Sequence, residues 1–438
     1  MPERSRRPRE GWRGRVAFGG PDRWLAFRPG SVLIPQEHVS EIVRPGWRAL
    51  PQPIQGFVPV ELVDIVASRS EADDADAAAD ETLDLIDDLS SRGIGAQPNH
   101  IFFADHDPDC GERGPLHGNP FAANPFAANP FAANPFAAEG WPVPSQQATG
   151  DRAHSAIPAQ PPSTGRAVPV SDAAPTILVL DTGLPDSTQT PSLLRHAEST
   201  QPHDRPDSDA DDRLDPVAGH GMFIAGIITR LAPGCRVIVV PVLSGFGDGD
   251  EVAVAAALSS YVGKVDVVNL SFGTYSPSCP RVLARAVRDV QKGVVRDEND
   301  NEVARRPAVV VASAGNDGTW VPSFPASLPG VISVAALDRW GPAVFSNYGP
   351  WVRACAAGTS VVSTFFLDAR TDQGDQFEGW AAWSGTSFAA PHVAGALAQA
   401  MQQGGLSSRE AVRRVIDAPS LLRIPAHGTV VNVAPTQA

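Results

Sequence analysis

The chain has 438 residues, of which 42% are hydrophobic, and a formal net charge of -14 at pH 7. This length allows two or three domains with a sizeable core, and the acidic balance excludes nucleic acid as the main partner, because phosphate binding needs clustered positive charge. We find no apolar run that could span a membrane and no apolar signal segment after the basic tail 1–21. The four cysteines are widely spaced and lack metal-ligand pairing. Free thiols in a reducing compartment follow from this, so we expect a cytoplasmic protein without a membrane partner.

Residues 22–108 predict a small α+β domain in which extended and helical segments alternate as β-α-β-α-β, a ferredoxin-like pattern. The acidic run Glu71–Asp80 predicts a solvated loop. The expected extended segments are 23–35, 55–65 and 99–104, and the expected helices are 38–43 and 81–92.

Residues 109–170 predict a proline-rich linker that contains the sequence Asn-Pro-Phe-Ala-Ala four times between Asn119 and Ala138. A proline every five residues prevents regular helix or sheet in these repeats. Phenylalanine is unusual in a flexible linker. A docking or cleavage role for the repeats therefore competes with that of a simple spacer.

Residues 171–438 predict a doubly wound α/β domain with a mostly parallel sheet and helices on both faces. Its strands are continuous Val/Ile/Leu runs, as required for a sheet that is covered on both faces. In such a fold the functional site lies at the carboxyl ends of the strands. The predicted strands are 176–180, 236–242, 265–270, 308–312 and 330–335, and the predicted helices are 220–231, 250–262 and 281–294.

Ser387 lies in Gly385-Thr386-Ser387-Phe388-Ala389-Ala390-Pro391-His392-Val393-Ala394-Gly395, at the predicted start of an apolar helix. Pro391 is expected in the first turn, where its missing N–H has no intrahelical partner to lose. The free amides and the positive dipole end at this place favour an oxyanion. Ser387 is therefore a candidate nucleophile, although the same pattern is common in simple helix caps.

Asp181 ends a buried strand and His220 opens a helix, so both should face the same crevice as Ser387. A serine nucleophile needs an imidazole to take its proton and a buried carboxylate to orient that imidazole. The three residues together supply these groups. Asp181 or His220, taken alone, would more often have a structural role.

Leu180-Asp181-Thr182-Gly183, Gly219-His220-Gly221 and the Ser387 segment together resemble the three motifs of subtilisin-like serine proteases. This resemblance implies a serine endopeptidase with a catalytic triad of Asp181, His220 and Ser387, acting through an acyl-enzyme on proteins or peptides. It implies that the Asn316 amide contributes to the oxyanion hole together with the Ser387 backbone N–H. The residues that it implies for substrate binding are Asn269, Leu270, Ser271, Phe272, Gly273, Ala314 and Gly315.

The chain departs from the family at Met222, where threonine is common, but this change removes no catalytic group. Asp317 lies near the expected specificity pocket, where it could favour basic side chains or remain a solvated loop carboxylate. His392 should point away from Ser387 and be structural. No cofactor is required, and calcium binding is an open alternative for the acidic loop before His220, whose carboxylates are Asp204, Asp207, Asp209, Asp211, Asp212 and Asp215.

The same resemblance implies that residues 22–108 form a propeptide, which assists folding and inhibits the enzyme intramolecularly, with residues 100–105 as its last strand. We expect the chain to cut itself between residues 109 and 170, because proteases cleave extended, accessible segments. An unrelated accessory domain is the alternative for residues 22–108. For the whole chain the alternatives are a peptide-binding pseudo-protease and an acyl-transferring peptide ligase.

Overall fold

The structure is a computed structural model, and much of the predicted linker, including the repeats 119–138, lies outside the residues that it describes. Among the described helices, none is long and apolar enough to cross a bilayer. The described residues are 17–18, 26–50, 54–63, 72–104, 156–159, 168–200, 203–296, 302–370, 374 and 376–432.

The N-terminal unit is an antiparallel sheet packed against helices. Val32 and Val60 of the sheet and Ile42, Ile86 and Leu89 of the helices share one buried apolar cluster. Its elements are β1 (Ala17–Phe18), β2 (Ala26–Pro35), a 3₁₀ turn (Gln36–His38), α1 (Val39–Ile42), β3 (Trp47–Ala49), β4 (Phe57–Leu62), α2 (Ala72–Ser91) and β5 (Gln97–Phe103). The strand order is β5-β2-β4-β3, with β1 paired to β2.

One expectation for this unit is wrong, and the sequence reasoning missed two of its strands, β1 and β3. Residues predicted as an acidic loop, 71–80, largely belong to α2, because five alanines between Ala72 and Ala79 favour a helix, and Ala78 and Ala79 are buried. The additional strand β3 was not predicted, since its three residues are too few to show a period of two.

The second unit contains the remaining elements. Its helices are α3 (His220–Leu231), α4 (Glu251–Ser260), α5 (Arg281–Lys292), α6 (Thr386–Gly404) and α7 (Ser408–Val412), with a 3₁₀ turn at Ser192–Leu194 and a π turn at Arg413–Asp417. Its strands are β6 (Ile157–Pro158), β7 (Thr176–Asp181), β8 (Glu198–Ser199), β9 (Arg236–Pro241), β10 (Asp248–Asp250), β11 (Val267–Leu270), β12 (Val294–Arg296), β13 (Glu302–Ala304), β14 (Val309–Ser313), β15 (Ile332–Leu337), β16 (Ala354–Ala357), β17 (Val361–Thr364), β18 (Trp380–Trp383), β19 (Arg423–Ile424) and β20 (Gly428–Val430).

The central sheet has nine strands in the order β19-β20-β16-β15-β14-β11-β7-β9-β8, all parallel except β19 with β20. Successive side chains of β7 lie on opposite faces of the sheet. Ile177 and Val179 pack with α3 and α6, whereas Leu178 and Leu180 pack with α4 and α5. The expected α/β fold with helices on both faces is thus confirmed. The strand order reverses beside β7, because β9 lies on one side of β7 and β11 on the other, and this places a crevice at the carboxyl ends of β7 and β11.

The sequence predicted Pro391 in the first turn of its helix, and this is wrong, because Pro391 is the sixth residue of α6. A proline there cannot donate to the carbonyl group four residues earlier, which belongs to Ser387. The hydroxyl group of Ser271 donates to this carbonyl oxygen at 2.8 Å. A neighbouring strand end therefore satisfies the acceptor that the proline leaves open.

The predicted linker 109–170 contains one regular element among its described residues. Ile157 and Pro158 form β6, which pairs with Ala382 and Ala381 of β18. The C-terminal part of the linker is therefore attached to β18, which ends four residues before Ser387.

Candidate active site

Asp181 and His220 form a buried pair at the crevice. His220 is the first residue of α3, and its Nδ1 lies 2.8 Å from Asp181 Oδ1. A carboxylate only accepts, so Nδ1 carries the proton and Nε2 presents a lone pair. His220 Nε2 is buried and has no hydrogen-bond partner within the described part of the chain. The pair therefore holds an imidazole in the tautomer that a general base requires.

Two glycines allow this approach. Gly219 caps α3 with φ of 81°, and a Cβ there would lie 2.5 Å from the Phe365 ring. A Cβ on Gly221 would lie 2.7 Å from the carbonyl oxygen of Gly183, in the turn after Asp181. A side chain at position 221 would push α3 away from the turn after β7, and one at position 219 would collide with Phe365 in a backbone conformation that favours glycine.

Aromatic rings enclose the imidazole. The Trp383 ring lies edge-on to His220 at a centroid distance of 5.4 Å, and the Phe388 ring lies at 5.2 Å. Both rings are buried. They restrict the His220 ring and exclude water from one side of it, which strengthens the local electrostatics.

Ser387 is the second residue of α6 and is buried. Its hydroxyl group donates to the carbonyl oxygen of Ala104 at 2.9 Å and also lies 3.2 Å from the carbonyl oxygen of Ser271. It makes no hydrogen bond with His220 in this structure. The next residue, Phe388, contacts the His220 ring, while the Ser387 hydroxyl is turned toward a peptide carbonyl.

Asn316 follows β14 and faces the start of α6. Its Oδ1 accepts hydrogen bonds from the backbone N–H and the hydroxyl group of Thr386, at 2.8 and 2.9 Å. Because a backbone N–H must meet an acceptor, this contact fixes the amide orientation and directs Nδ2 away from Thr386. Gly315 has φ of 106° and donates to Thr386 Oγ1, and Ala314 is buried beneath it. Both residues position Asn316.

β5 of the N-terminal unit lies in the crevice as an additional strand. Phe103 exchanges two backbone hydrogen bonds with Gly273, at 2.9 and 2.8 Å, and the Ala104 N–H donates to the Gly247 carbonyl at 3.0 Å. On its other edge β5 pairs antiparallel with β10. An extended backbone is thus held between two edges of the second unit and ends with its carbonyl at Ser387.

The predicted substrate-binding residues divide into two groups. Gly273 pairs with β5, and the Phe272 ring lies 5.7 Å from the Phe102 ring. Asn269 and Leu270 are buried in the sheet, where Asn269 Nδ2 donates to Ser271 Oγ at 2.9 Å. The sequence reasoning missed Gly247 and β10, which the glycine-rich segment 245–249 after a strand could have indicated.

A buried polar cluster joins β5 to α4. Glu251 Oε2 lies 2.6 Å from His100 Nδ1 and accepts from Gln97 Nε2 at 2.9 Å, and its Oε1 accepts from the Leu283 N–H at 2.9 Å. The His100 and Glu251 side chains are 1% and 0% exposed. Such a pair belongs to a built interface, since an isolated buried charge would be strongly unfavourable.

Asp204 is a second buried carboxyl group beside the Asp181–His220 pair, and the sequence reasoning assigned it only to the acidic loop. Its Oδ2 accepts from the Thr182 hydroxyl at 2.7 Å and from the Gly219 N–H at 2.9 Å. Burial, with a contribution from the nearby Asp181, raises the pKa of Asp204 to about 7. The residue connects the turn after β7 to the start of α3.

The rest of the acidic loop lies farther along. Asp207, Asp209 and Asp215 bring one carboxylate oxygen each within 4.8 Å of one another. The backbone N–H groups of residues 210–212 already donate to Asp207, and Asp204 contacts Thr182 instead. Calcium binding by these three carboxylates stays a prediction.

Three other residues that the sequence singled out, Asp317, His392 and Met222, make local contacts. The Asp317 carboxylate accepts a hydrogen bond of 2.5 Å from the Tyr275 hydroxyl, and burial together with Asp317 raises the pKa of Tyr275 well above its ordinary value. His392 donates from Nδ1 to the Phe388 carbonyl at 2.7 Å, four residues back in α6. Met222 is fully buried in the core.

Comparison with known proteins identifies relatives of the second unit. The sequence model described as "Subtilase family" matches residues 172–419. A thermophilic serine proteinase from a Bacillus strain is 34% identical over 213 residues, which are 45% of this chain and 47% of the relative. Subtilisin Savinase from Lederbergia lenta is 32% identical over 249 residues, which are 54% of this chain and 80% of the relative. The chain thus spans about half of the first relative's length and most of the second's.

One similar solved structure is the crystal structure of a cold-adapted subtilisin-like serine proteinase. It is 23% identical, with a TM-score of 0.46, and the alignment covers 65% of this chain and 97% of that one.

Proposed function

Because the chain belongs to the subtilase family, we propose that it is a serine endopeptidase with Ser387 as nucleophile, His220 as general base and Asp181 as the group that orients His220. One observation carries this function. The Ser387 hydroxyl lies 2.9 Å from the carbonyl oxygen of an extended peptide backbone that is paired on both edges. This is how a peptidase must hold its substrate.

The reaction begins when the Ser387 hydroxyl rotates from the Ala104 carbonyl toward His220 Nε2, which has no other partner among the described residues. His220 takes the proton as the oxygen attacks the carbonyl carbon, and Asp181 stabilises the resulting imidazolium. The Ser387 N–H and Asn316 Nδ2 donate to the oxyanion at the positive end of α6. His220 then protonates the leaving amine, and water hydrolyses the acyl-enzyme.

Residues 22–108 are part of the proposal as a ferredoxin-like propeptide that inhibits the enzyme. Its strand order β5-β2-β4-β3 with two helices supports this assignment, and so does the position of β5 in the crevice. While β5 occupies the crevice, a substrate cannot pair with Gly273. The Glu251–His100 contact and the ion pair of Arg28 with Asp250, at 2.8 Å, strengthen this interface.

Self-cleavage is the second part of the proposal. The sequence alone led us to expect a cut between residues 109 and 170. The contact of the Ala104 carbonyl with Ser387 supports an earlier position, the Ala104–Asp105 bond. Asp105 and the residues that follow it lie outside the described residues.

The cytoplasm is part of the proposal as the location of the protein. Cys235, Cys279 and Cys355 are free thiols, which supports the cytoplasm as the location. The proposed reaction uses no cofactor, and calcium would act only on the stability of the acidic loop.

A fluorophosphonate probe tests the activity, because it labels only an activated serine. Wild-type protein should be labelled at Ser387 after self-cleavage, should yield an N-terminal fragment that ends at Ala104, and should hydrolyse peptides. The Ser387→Ala variant should stay full length under the same handling. Binding of peptides without labelling would favour the pseudo-protease, and products with newly joined segments would favour the ligase. A full-length wild type with full activity would make residues 22–108 an accessory domain.

A further inference from the structure

We propose that the four Asn-Pro-Phe-Ala-Ala repeats are substrates of this same active site and that each is cut between its two alanines. This inference rests on the proposed endopeptidase function and names a substrate class for it, extended segments containing Phe-Ala. The bonds concerned are Ala122–Ala123, Ala127–Ala128, Ala132–Ala133 and Ala137–Ala138.

The crevice already holds one Phe-Ala sequence. Phe103 makes both of its backbone hydrogen bonds with Gly273, and its side chain, 7% exposed, packs against Phe246. Ala104 is 2% exposed and belongs to the core cluster that contains Phe272. Because protein interiors are close-packed, the position of the enclosed Ala104 methyl group leaves little space for a larger side chain. The two positions therefore favour an aromatic residue followed by a small one.

Phe-Ala occurs six times in the chain. One pair, Phe103–Ala104, lies at the nucleophile, and another, Phe388–Ala389, is buried inside α6. The other four are the repeats. Aligning a repeat with β5 by its Phe-Ala pair places its first alanine where the Ala104 carbonyl meets Ser387. The attacked bond is then the one between the two alanines.

The residue before phenylalanine explains why the repeats act as substrates and β5 as an inhibitor. The Ala104 N–H donates toward β10, and Phe102, two residues earlier and facing Gly249, presents its N–H to the same edge. Each repeat has proline at this position, which has no N–H to donate. A repeat therefore binds with one hydrogen bond fewer and without the interface of residues 22–108. It should leave after cleavage.

After the cut that follows Ala104, the chain that carries the repeats stays attached to the second unit at β6, which is paired with β18 just before the Ser387 helix. The last repeat ends at Ala138, 19 residues before Ile157, a length that spans up to about 65 Å when extended. A covalent tether of this kind gives effective concentrations on the order of millimolar. The repeats can reach the crevice once β5 has left it.

Each cut is an ordinary hydrolysis. Ser387 Oγ forms an ester with the carbonyl carbon of the first alanine, the C–N bond breaks, and His220 passes the proton to the amine of the second alanine. One water molecule then hydrolyses the ester. Cutting all four repeats releases the pentapeptide Ala-Asn-Pro-Phe-Ala three times, as residues 123–127, 128–132 and 133–137.

Mass spectrometry of the full-length protein after incubation tests this inference. Wild type should release the pentapeptide Ala-Asn-Pro-Phe-Ala, and Ser387→Ala should release none. Changing Phe121, Phe126, Phe131 and Phe136 together to alanine should reduce pentapeptide release at least tenfold and leave the cut after Ala104 intact. The matched control, which changes Asn119, Asn124, Asn129 and Asn134 to aspartate, should still be cut at the same four bonds.

The possible results separate the two proposals. If wild type cuts after Ala104 and hydrolyses added peptides while residues 119–138 stay in one piece, the inference is wrong and the endopeptidase function stands. Release of Asn-Pro-Phe-Ala-Ala instead would overturn the assigned register, because cleavage would then follow the second alanine. Absence of cleavage, probe labelling and peptide hydrolysis would overturn the proposed function itself.

Discussion

The hydroxyl group of Thr182 donates a hydrogen bond of 2.7 Å to the buried carboxyl group of Asp204. Thr182 directly follows Asp181, and its hydroxyl also accepts from the Gly221 N–H at 3.0 Å, while Asp204 accepts from Gly219. A short hydrogen-bonded path thus connects the residues on either side of His220 to the residue after Asp181. Two chain segments that lie 39 positions apart are held in one geometry.

We expect Asp204 to make the protein less stable as the pH rises through neutrality. Since its pKa is raised to about 7, the folded protein holds this proton more tightly than the unfolded chain does. This stabilisation is fully present below the ordinary carboxyl pKa of about 4. It is lost as the pH rises from there through about 7, by at most about 1.4 kcal/mol per pH unit, and none of it is left at higher pH. Thermal denaturation at pH 5 and pH 8, in a Ser387→Ala background that prevents autolysis, measures this loss.

Asp204→Asn should lose less stability over this range, whereas Asp211→Asn, an exposed change in the same loop, should behave like the parent. Parallel curves for the parent and Asp204→Asn would contradict the assignment.

Removing any one of Ser387, His220 and Asp181 by substitution with alanine should abolish most turnover. Combining the three changes should add little, because the groups act as one unit. Kinetics on a peptide substrate test this, and circular dichroism spectra that match wild type show that the fold survives. Losses that multiply across the combined variants would argue against a shared mechanism.

Asn316→Ala should lower kcat by on the order of a hundredfold or more and change KM little, because the donor acts mainly in the transition state. This magnitude is the one established for such a donor in subtilisin, a relative of this chain. Asn316 also accepts from Thr386, so Thr386→Ser, which keeps both donors, is the matched control and should stay close to wild type. Weaker substrate binding with an unchanged kcat would make Asn316 a ground-state contact.

Glu251→Gln should speed the release of the N-terminal unit, because an amide NH₂ in the place of Oε2 cannot accept the hydrogen bond that Gln97 Nε2 donates. The measurement is the lag before peptidase activity appears in freshly purified full-length protein, which should shorten. Glu198→Gln, which alters an exposed pair with Arg236 at 3.2 Å, should leave the lag unchanged, since exposed pairs contribute little. Equal lags in all three proteins would show that Glu251 does not hold the interface.

Ser271→Ala should destabilise the protein by about 1–3 kcal/mol, because the buried Ser387 carbonyl would lose its donor at a place where Pro391 supplies none. Adding Pro391→Ala restores an intrahelical donor and should recover part of this loss. Denaturant unfolding of both variants and of the double variant, all in the Ser387→Ala background, gives the coupling energy. A coupling near zero would mean that the two residues act independently.

The local sequence determined the α/β fold of the second unit. Its buried strands are continuous apolar runs, and α3 has the bounds 220–231 that its apolar period predicts. The motifs around Asp181, His220 and Ser387 also indicated one crevice, since element ends of a parallel sheet meet at one edge. These features depend on near neighbours in sequence, so they can be read without coordinates.

Only the tertiary structure decided what lies in the crevice. The contact between Ala104 and Ser387 joins residues 283 positions apart, and the contact between Glu251 and His100 joins residues 151 apart. Asp204 looked like one of many carboxylates in an acidic loop until its contacts with Thr182 and Gly219 were seen. Neither hydrophobic periodicity nor a motif carries information about such pairs, because they form only when separate elements pack and exclude water between them.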